Sequence, residues 1–165
     1  MRRKIFLTLA ILWMAGIFLF SARNAELSTE DSHHTSDVIG ELFIQGYREW
    51  KPARKNAFRE QMDHAVRKSA HFLEYALLGM LWLGYFLPGL HQMKAIAPYR
   101  SSWLIATAYA ATDEFHQLFV PGRAGRILDI GIDSAGAATG LLGALILCLL
   151  LHFILQRKNK GRISP

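Results

Sequence analysis

The chain has 165 residues, 52% of them hydrophobic, and a formal net charge of +6 from 19 Lys+Arg against 13 Asp+Glu. That length holds at most one domain, residues 1–165, and the single cysteine, Cys148, excludes an internal disulfide. The positive balance does not point to nucleic acid, because the basic residues collect at the ends of apolar blocks, where they carry topological information instead.

The first block, "IFLTLAILWMAGIFLF", follows "MRRK" as a secretory leader would. The sequence after it, "SARNA", makes a poor cleavage site, so a retained span over residues 5–21 is expected. Residues 22–69 are polar and are expected to form an outer loop. Within that loop, "AELSTEDSHHTSD" reads as mobile, whereas "DVIGELFIQGYREW" has helical spacing that could lie in the membrane surface or cap the bundle. Pro52 is expected to end that segment. "RKNAFREQMDHAVRK" is helical again and leads into the second apolar block. His33, His34 and His64 show no ligand spacing and are assigned to solvent.

Apolar blocks then follow at residues 70–88, 101–120 and 128–155, close to the roughly 20 residues that a transmembrane helix needs. "FLPGLHQMKAIAPYR" should turn at Pro88-Gly89 and finish near Pro98. The last block, "GLLGALILCLLLHFIL", is apolar nearly all round, unlike the striped helices of a soluble bundle. Cys148 within it is expected to be a small packing residue, and His152 to reach the inner interface. The fold class expected is therefore all-α: a polytopic membrane protein with four transmembrane helices. Lys/Arg enrichment in "RRK", at Lys94 and Arg100, and in "RKNKGR" puts both termini and the middle loop in the cytoplasm. Arg123 and Arg126 run against that rule.

Outside the long loop only five acids remain: Glu74, Asp113, Glu114, Asp129 and Asp133. At about 1.5 Å per helical residue, all fall within roughly 10 Å of the outer membrane face. Arg67, His71 and Glu74 are spaced i, i+4, i+7, with Tyr75 beside them. Tyr109, Asp113, His116 and Gln117 share a second face, with Glu114 at its edge. Asp129 and Asp133 start a third stripe that continues as Gly136, Gly140 and Gly143, a small-residue pattern for close helix approach. Ionisable groups in spans face the interior and are functional candidates. The catalytic candidates are His71, Glu74, Asp113, Glu114, His116, Gln117, Asp129 and Asp133, with Glu114 or Asp133 as base and His71 or His116 as proton shuttle.

Between the third and fourth blocks, "PGRAGRI" combines flexible backbone, two arginine forks and a helix start. With Arg67 and Lys68, Arg123 and Arg126 make a candidate anion site, for which membrane lipid headgroups or a lipid-linked envelope precursor are the expected partners. The competing reading is structural: the four cations neutralise the five acids and clamp three helix ends. A metal site at His71, His116 and two carboxylates lacks a recognisable ligand spacing, and a proton path lacks polar residues toward the inner half. No metal or cofactor is expected.

"RKSAHFLEYALLG", "DEFHQLFVPGRAGRILDIGIDSAGAATG" and, more weakly, "FSARNA" resemble the VanZ-like family of small bacterial membrane proteins. The resemblance implies a multi-pass protein of the bacterial cytoplasmic membrane and an association with teicoplanin-type glycopeptide susceptibility. The shared positions it implies fall on His71, Glu74, Tyr75, Asp113, Glu114, His116, Gln117, Pro121, Gly122, Arg123, Asp129, Asp133 and Gly136.

Overall fold

The computed structural model describes residues 1–87, 89 and 95–160, with side chains as far as Ile154. Pro88, Lys94 and the side chains of the basic tail, on which part of the expected turn and topology rests, lie outside the described residues. Five helices follow in order: α1 (Arg2–Ser21), α2 (Ala25–Phe43), α3 (Pro52–Phe86), α4 (Ile96–Gln117) and α5 (Ile127–Lys160), with a 3₁₀ turn at Tyr47–Glu49. Among the described residues there is no strand.

The largest departure from expectation is α2. "AELSTEDSHHTSD" is helical, not mobile. Asn24 caps it, its side chain accepting the Leu27 N–H at 3.0 Å. Ser28, Ser32, Ser36 and Gly40 recur every fourth residue and are buried, while α2 packs against α3. Small side chains on that stripe let α2 lie close to α3 despite a polar composition. Pro52 also acts in the opposite sense to that expected: it occupies the first turn of α3, where its missing N–H costs nothing. As expected, α3 runs without interruption from the polar segment into the second apolar block. α4 begins at Ile96, with Pro98 inside its first turn rather than before it.

α3 is the central helix and packs on all four others, most extensively on α5. The α3–α5 contact is set by glycine. A Cβ at Gly136 would collide with the backbone of Phe72, and one at Gly140 with the backbone of Ala76. From the other side, a Cβ at Gly79 would stand 2.9 Å from the Ala137 carbonyl. The helices approach at backbone distance, as small-residue stripes permit. The stripe stops there, because Gly143 has open space around it and takes no part in the contact. Ile17, Tyr75, Leu78, Ala106, Ala110 and Ala137 form the buried core. Cys148 is half-buried against Leu83, Leu87 and Leu141, as a packing residue should be.

Polar side chains tie the helices through backbone acceptors. Trp13 Nε1 donates to the Glu74 carbonyl at 2.9 Å, and the Tyr109 hydroxyl to the Met14 carbonyl at 2.6 Å. Thr107 and Ser134 share a hydrogen bond of 2.9 Å between α4 and α5. Two helical segments, Arg2–Ser21 and Ile127–Ile154, are long and apolar enough to cross a membrane, with mean hydropathies of 2.0 and 2.3. α3 and α4 do not meet that measure; their apolar runs carry the His, Glu, Asp and Gln residues of the site.

Candidate functional site

The five acids outside the long loop do converge, from three helices. Glu74 comes from α3, Asp113 and Glu114 from the last turns of α4, and Asp129 and Asp133 from the start of α5. Asp133 lies within electrostatic range of the other four. Asp113, Glu114 and Asp133 are almost fully buried, at 2%, 4% and 1% exposure. Glu114 is therefore inside the cluster and not at the edge of its helix face.

The four cations do not neutralise this cluster as a clamp would. Lys68 pairs with Asp129, joining α3 to α5. Arg67 turns away and pairs with Asp63, four residues earlier on its own helix, and Asp63 also accepts a hydrogen bond from Ser32 of α2. Arg123 Nε donates to the Arg23 carbonyl at 3.1 Å. Arg126 reaches the cluster through its backbone: its N–H donates to Glu114 Oε2 at 2.8 Å. The start of α5, expected as a site for an outside anion, already holds the carboxylate of Glu114.

Asp133 has no hydrogen-bond donor on either oxygen among the described residues. The basic group beside it is His71, whose Nδ1 stands 3.9 Å from Asp133 Oδ1 and 3.9 Å from Glu74 Oε2. Both separations exceed hydrogen-bond length. Asp113 is half satisfied: Oδ2 accepts from Gln117 Nε2 at 3.3 Å, and Oδ1 has no partner among the described residues. Gln117 also donates to Ser21 Oγ at 3.0 Å, tying α4 to the end of α1.

Two cavities open beside these groups. The first, of about 210 Å³, is bounded by Arg67, Lys68, His71, Arg123, Arg126 and Asp129, with His64 and Gln117 also lining it. The second, of about 200 Å³, lies between the end of α1, α2 and α3; Ser28, Asp31, Ser32, Val66 and Glu74 line it, together with Arg67, His71 and Arg123. The three shared residues form the partition between the cavities. Burial, and then the charge of the neighbouring Arg67, pull the Arg123 guanidinium below its ordinary pKa. A cation so placed gains from a nearby anion.

Local sequence explains how the loop reaches this position. Gly122 has φ of +76°, and a Cβ there would also press on Ala25. The Ala25 N–H donates to the Pro121 carbonyl at 3.3 Å, docking the loop onto the start of α2. Gly125 passes against the Glu114 carbonyl, where no side chain would fit. Both glycines are thus required by close approach.

Of the expected residues, the structure brings His71, Glu74 and Asp133 together, with Arg67, Lys68, Arg123, Arg126 and Asp129 around the adjoining space. His116 lines neither cavity: its ring packs at a tilt against Phe18 of α1 at 4.4 Å, within electrostatic range of Asp113. Among the described residues, no group of three or more His, Cys, Asp and Glu is placed to hold a metal ion. Sequence reasoning missed Asp63, although its i, i+4 spacing to Arg67 was available, and Ser21, whose role depends on α1 meeting α4. His64, assigned to solvent, is exposed but stands at the mouth of the first cavity.

No curated protein and no solved structure matches the chain. Residues 6–152 match the VanZ/LLP1 family, a span that takes in α1 to α4, most of α5 and every residue of the cluster, and the chain belongs to that family.

Proposed function

We propose that this protein crosses the bacterial cytoplasmic membrane four times and binds a phosphate group of a lipid or lipid-linked envelope molecule at the outer face. The spans are α1, residues 70–86 of α3, α4 and α5, with both termini in the cytoplasm as the basic ends suggest. One observation carries the binding assignment: the 210 Å³ cavity brings four cationic side chains to one space, and the acids there leave part of that charge uncompensated. Arg67 and Lys68 are engaged by Asp63 and Asp129. The guanidinium of Arg126 has no carboxylate partner among the described residues, and Arg123 spends only Nε on a carbonyl. Forked guanidinium groups suit phosphate oxygens.

His71 is the group positioned to move a proton, since it lines the cavity and has Asp133 and Glu74 behind it. A phosphate-bearing envelope molecule would also account for the link to teicoplanin-type glycopeptide susceptibility that the resemblance implies. The test is direct binding. Protein in nanodiscs should take up phosphatidic acid in preference to diacylglycerol, which has no phosphate, and Arg123→Ala with Arg126→Ala should weaken that uptake about tenfold or more. Equal retention of both lipids by the wild-type protein would refute the assignment.

A second reading, a non-catalytic protein that modulates envelope assembly with the cluster as an inter-helix clamp, is favoured by the Lys68–Asp129 pair and the Arg126–Glu114 bond. Glu114→Gln separates the two. A charge clamp loses thermal stability on that change, whereas a site loses binding and keeps its fold.

A further inference from the structure

The second cavity contains a carboxylate that has no lysine or arginine within ion-pair distance among the described residues, although Arg123 acts on it from longer range. Arg23 is paired with Asp31 at 2.5 Å, and Arg67 with Asp63, so the charges on the α2 side of the cavity are matched within the protein. Glu74 is different. Among the described residues its carboxylate has no arginine or lysine partner, and His71 Nδ1, at 3.9 Å, is beyond hydrogen-bond reach. Its side chain keeps 23% exposure, so the carboxylate is not sealed in the bundle. Ser28 and Ser32 line the same space with hydroxyls, and Val66 and Ala70 give it apolar walls.

The position of this carboxylate relative to the cationic cavity decides what it could recognise. His71 and Glu74 are one helical turn apart on α3, and His71, Arg67 and Arg123 belong to both cavities. A ligand whose phosphate sits on the Arg123–Arg126 side therefore has its next few atoms directed past His71 toward Glu74. A plain phosphate monoester would leave Glu74 without a partner, and a partly buried unpaired carboxylate is costly. A phosphate that carries a short primary amine would satisfy both ends, its ammonium donating charge-assisted hydrogen bonds to Glu74 and to the neighbouring hydroxyls. A trimethylated amine would not, because it has no N–H to donate.

We infer that the two adjoining cavities together form a site for a phosphoethanolamine-type group, with the phosphate on Arg123 and Arg126 and the primary ammonium on Glu74. This rests on the phosphate assignment above and narrows it to a zwitterion. The group could belong to a membrane lipid or to a free phosphoethanolamine ester, and both present the same two charges.

The experiment uses the full chain in nanodiscs and compares phosphatidylethanolamine, phosphatidic acid, phosphatidylcholine and the phosphate-free diacylglycerol by competition for binding. The wild-type protein should favour phosphatidylethanolamine over phosphatidylcholine by about tenfold. Glu74→Gln should collapse that ratio toward one, and the paired Arg123→Ala and Arg126→Ala changes should weaken phosphatidylethanolamine and phosphatidic acid together. Soluble O-phosphoethanolamine as competitor identifies the source. Displacement of the lipid at millimolar concentration assigns the headgroup alone, and failure to displace assigns the intact lipid. A ratio in the wild-type protein that Glu74→Gln leaves intact would overturn the inference while the phosphate reading stands. Binding of diacylglycerol by the wild-type protein equal to that of the three phospholipids would overturn both. Thermal unfolding of Glu74→Gln, expected at or above the wild-type midpoint, establishes that the collapsed ratio is not misfolding.

Discussion

At the tip of the α2–α3 hairpin, Asp37 accepts two hydrogen bonds from Arg59, at 2.8 and 2.6 Å, and a third from the Tyr47 hydroxyl at 2.7 Å. In the bundle, Asp133 is more deeply buried, at 1% exposure, and neither oxygen has a donor among the described residues. The same side chain is thus fully paired in the region where pairing is needed least, near solvent, and unpaired where its burial costs most. Packing explains why the fold can carry that cost. The bundle is joined by glycine-mediated contact between α3 and α5 and by Trp and Tyr donors to backbone carbonyls, none of which uses a carboxylate side chain. The hairpin has no such core, with Tyr47 as its main buried side chain, and depends on its ion pairs. Ion pairs tie the hairpin; in the bundle Asp133 stands without a hydrogen-bond donor among the described residues.

Breaking the paired region should give the larger loss of stability. Arg59→Ala removes a two-pronged pair that is partly exposed, at 29% and 32% on its two sides, together with a bond to Asn56. Hydrogen bonds between charged groups contribute about 1.5–3 kcal/mol when sheltered, and exposure lowers that figure here. A loss of about 1–2 kcal/mol is expected, read as a lower unfolding midpoint in detergent and as faster hydrogen exchange in α2. An unchanged midpoint would mean that the hairpin is held by something other than this pair.

The unpaired region should respond in the opposite direction. Asp133→Asn removes a buried ionisable carboxyl while keeping the shape of the side chain. Relief of the cost of burying that group among other acids should raise stability by about 1 kcal/mol or more. The same change should impair the proton-handling role proposed for His71, since the carboxyl behind Nδ1 disappears. A fall in stability would show that Asp133 is paired in the membrane and that the contrast between the two regions is false.

The convergence of the acids was legible because helical periodicity and span ends fix both the face and the depth of a side chain. Glu74, Asp113, Glu114, Asp129 and Asp133 needed only those two coordinates to be placed together. The Gly136–Gly140 contact was legible for the same reason, whereas Gly143 shows where spacing misleads: the side of α5 that packs near Leu83 continues through Leu141, Ala144 and Cys148, and Gly143 faces open space. α2 was misread because Ser, Thr, His and Asp favour caps and turns as isolated residues. Its signal lay in the recurrence of small residues at Ser28, Ser32, Ser36 and Gly40, which identifies a face only once α3 is known to lie against it. Partner choice was the least legible part. Arg67 could have reached the cluster by its position, yet Asp63 one turn away on the same helix captures it. Local i, i+4 pairs form at little entropic cost, and such competition should be weighed before any cation is assigned to a distant acid.

The smallest expected effect is also the most specific to the paired region. Hydrogen bonding from Arg59, with a further contribution from Tyr47, holds the Asp37 carboxyl below its ordinary pKa in the folded chain, against the opposing effect of partial burial. The unfolded chain, with Asp37 near its usual value of about 3.9, binds the proton first as the pH falls. Asp37 therefore contributes its full stabilisation above about pH 4–5, and that contribution declines as the pH drops through the folded-state value. Other carboxylates also respond to acid, so the difference between wild type and Asp37→Asn isolates this one. Unfolding midpoints of the two proteins should be furthest apart near neutral pH and should converge below about pH 4. A gap that stays constant from pH 7 to pH 3 would mean that the loss in Asp37→Asn comes from altered packing beside Tyr47, and that the hairpin does not depend on its charges.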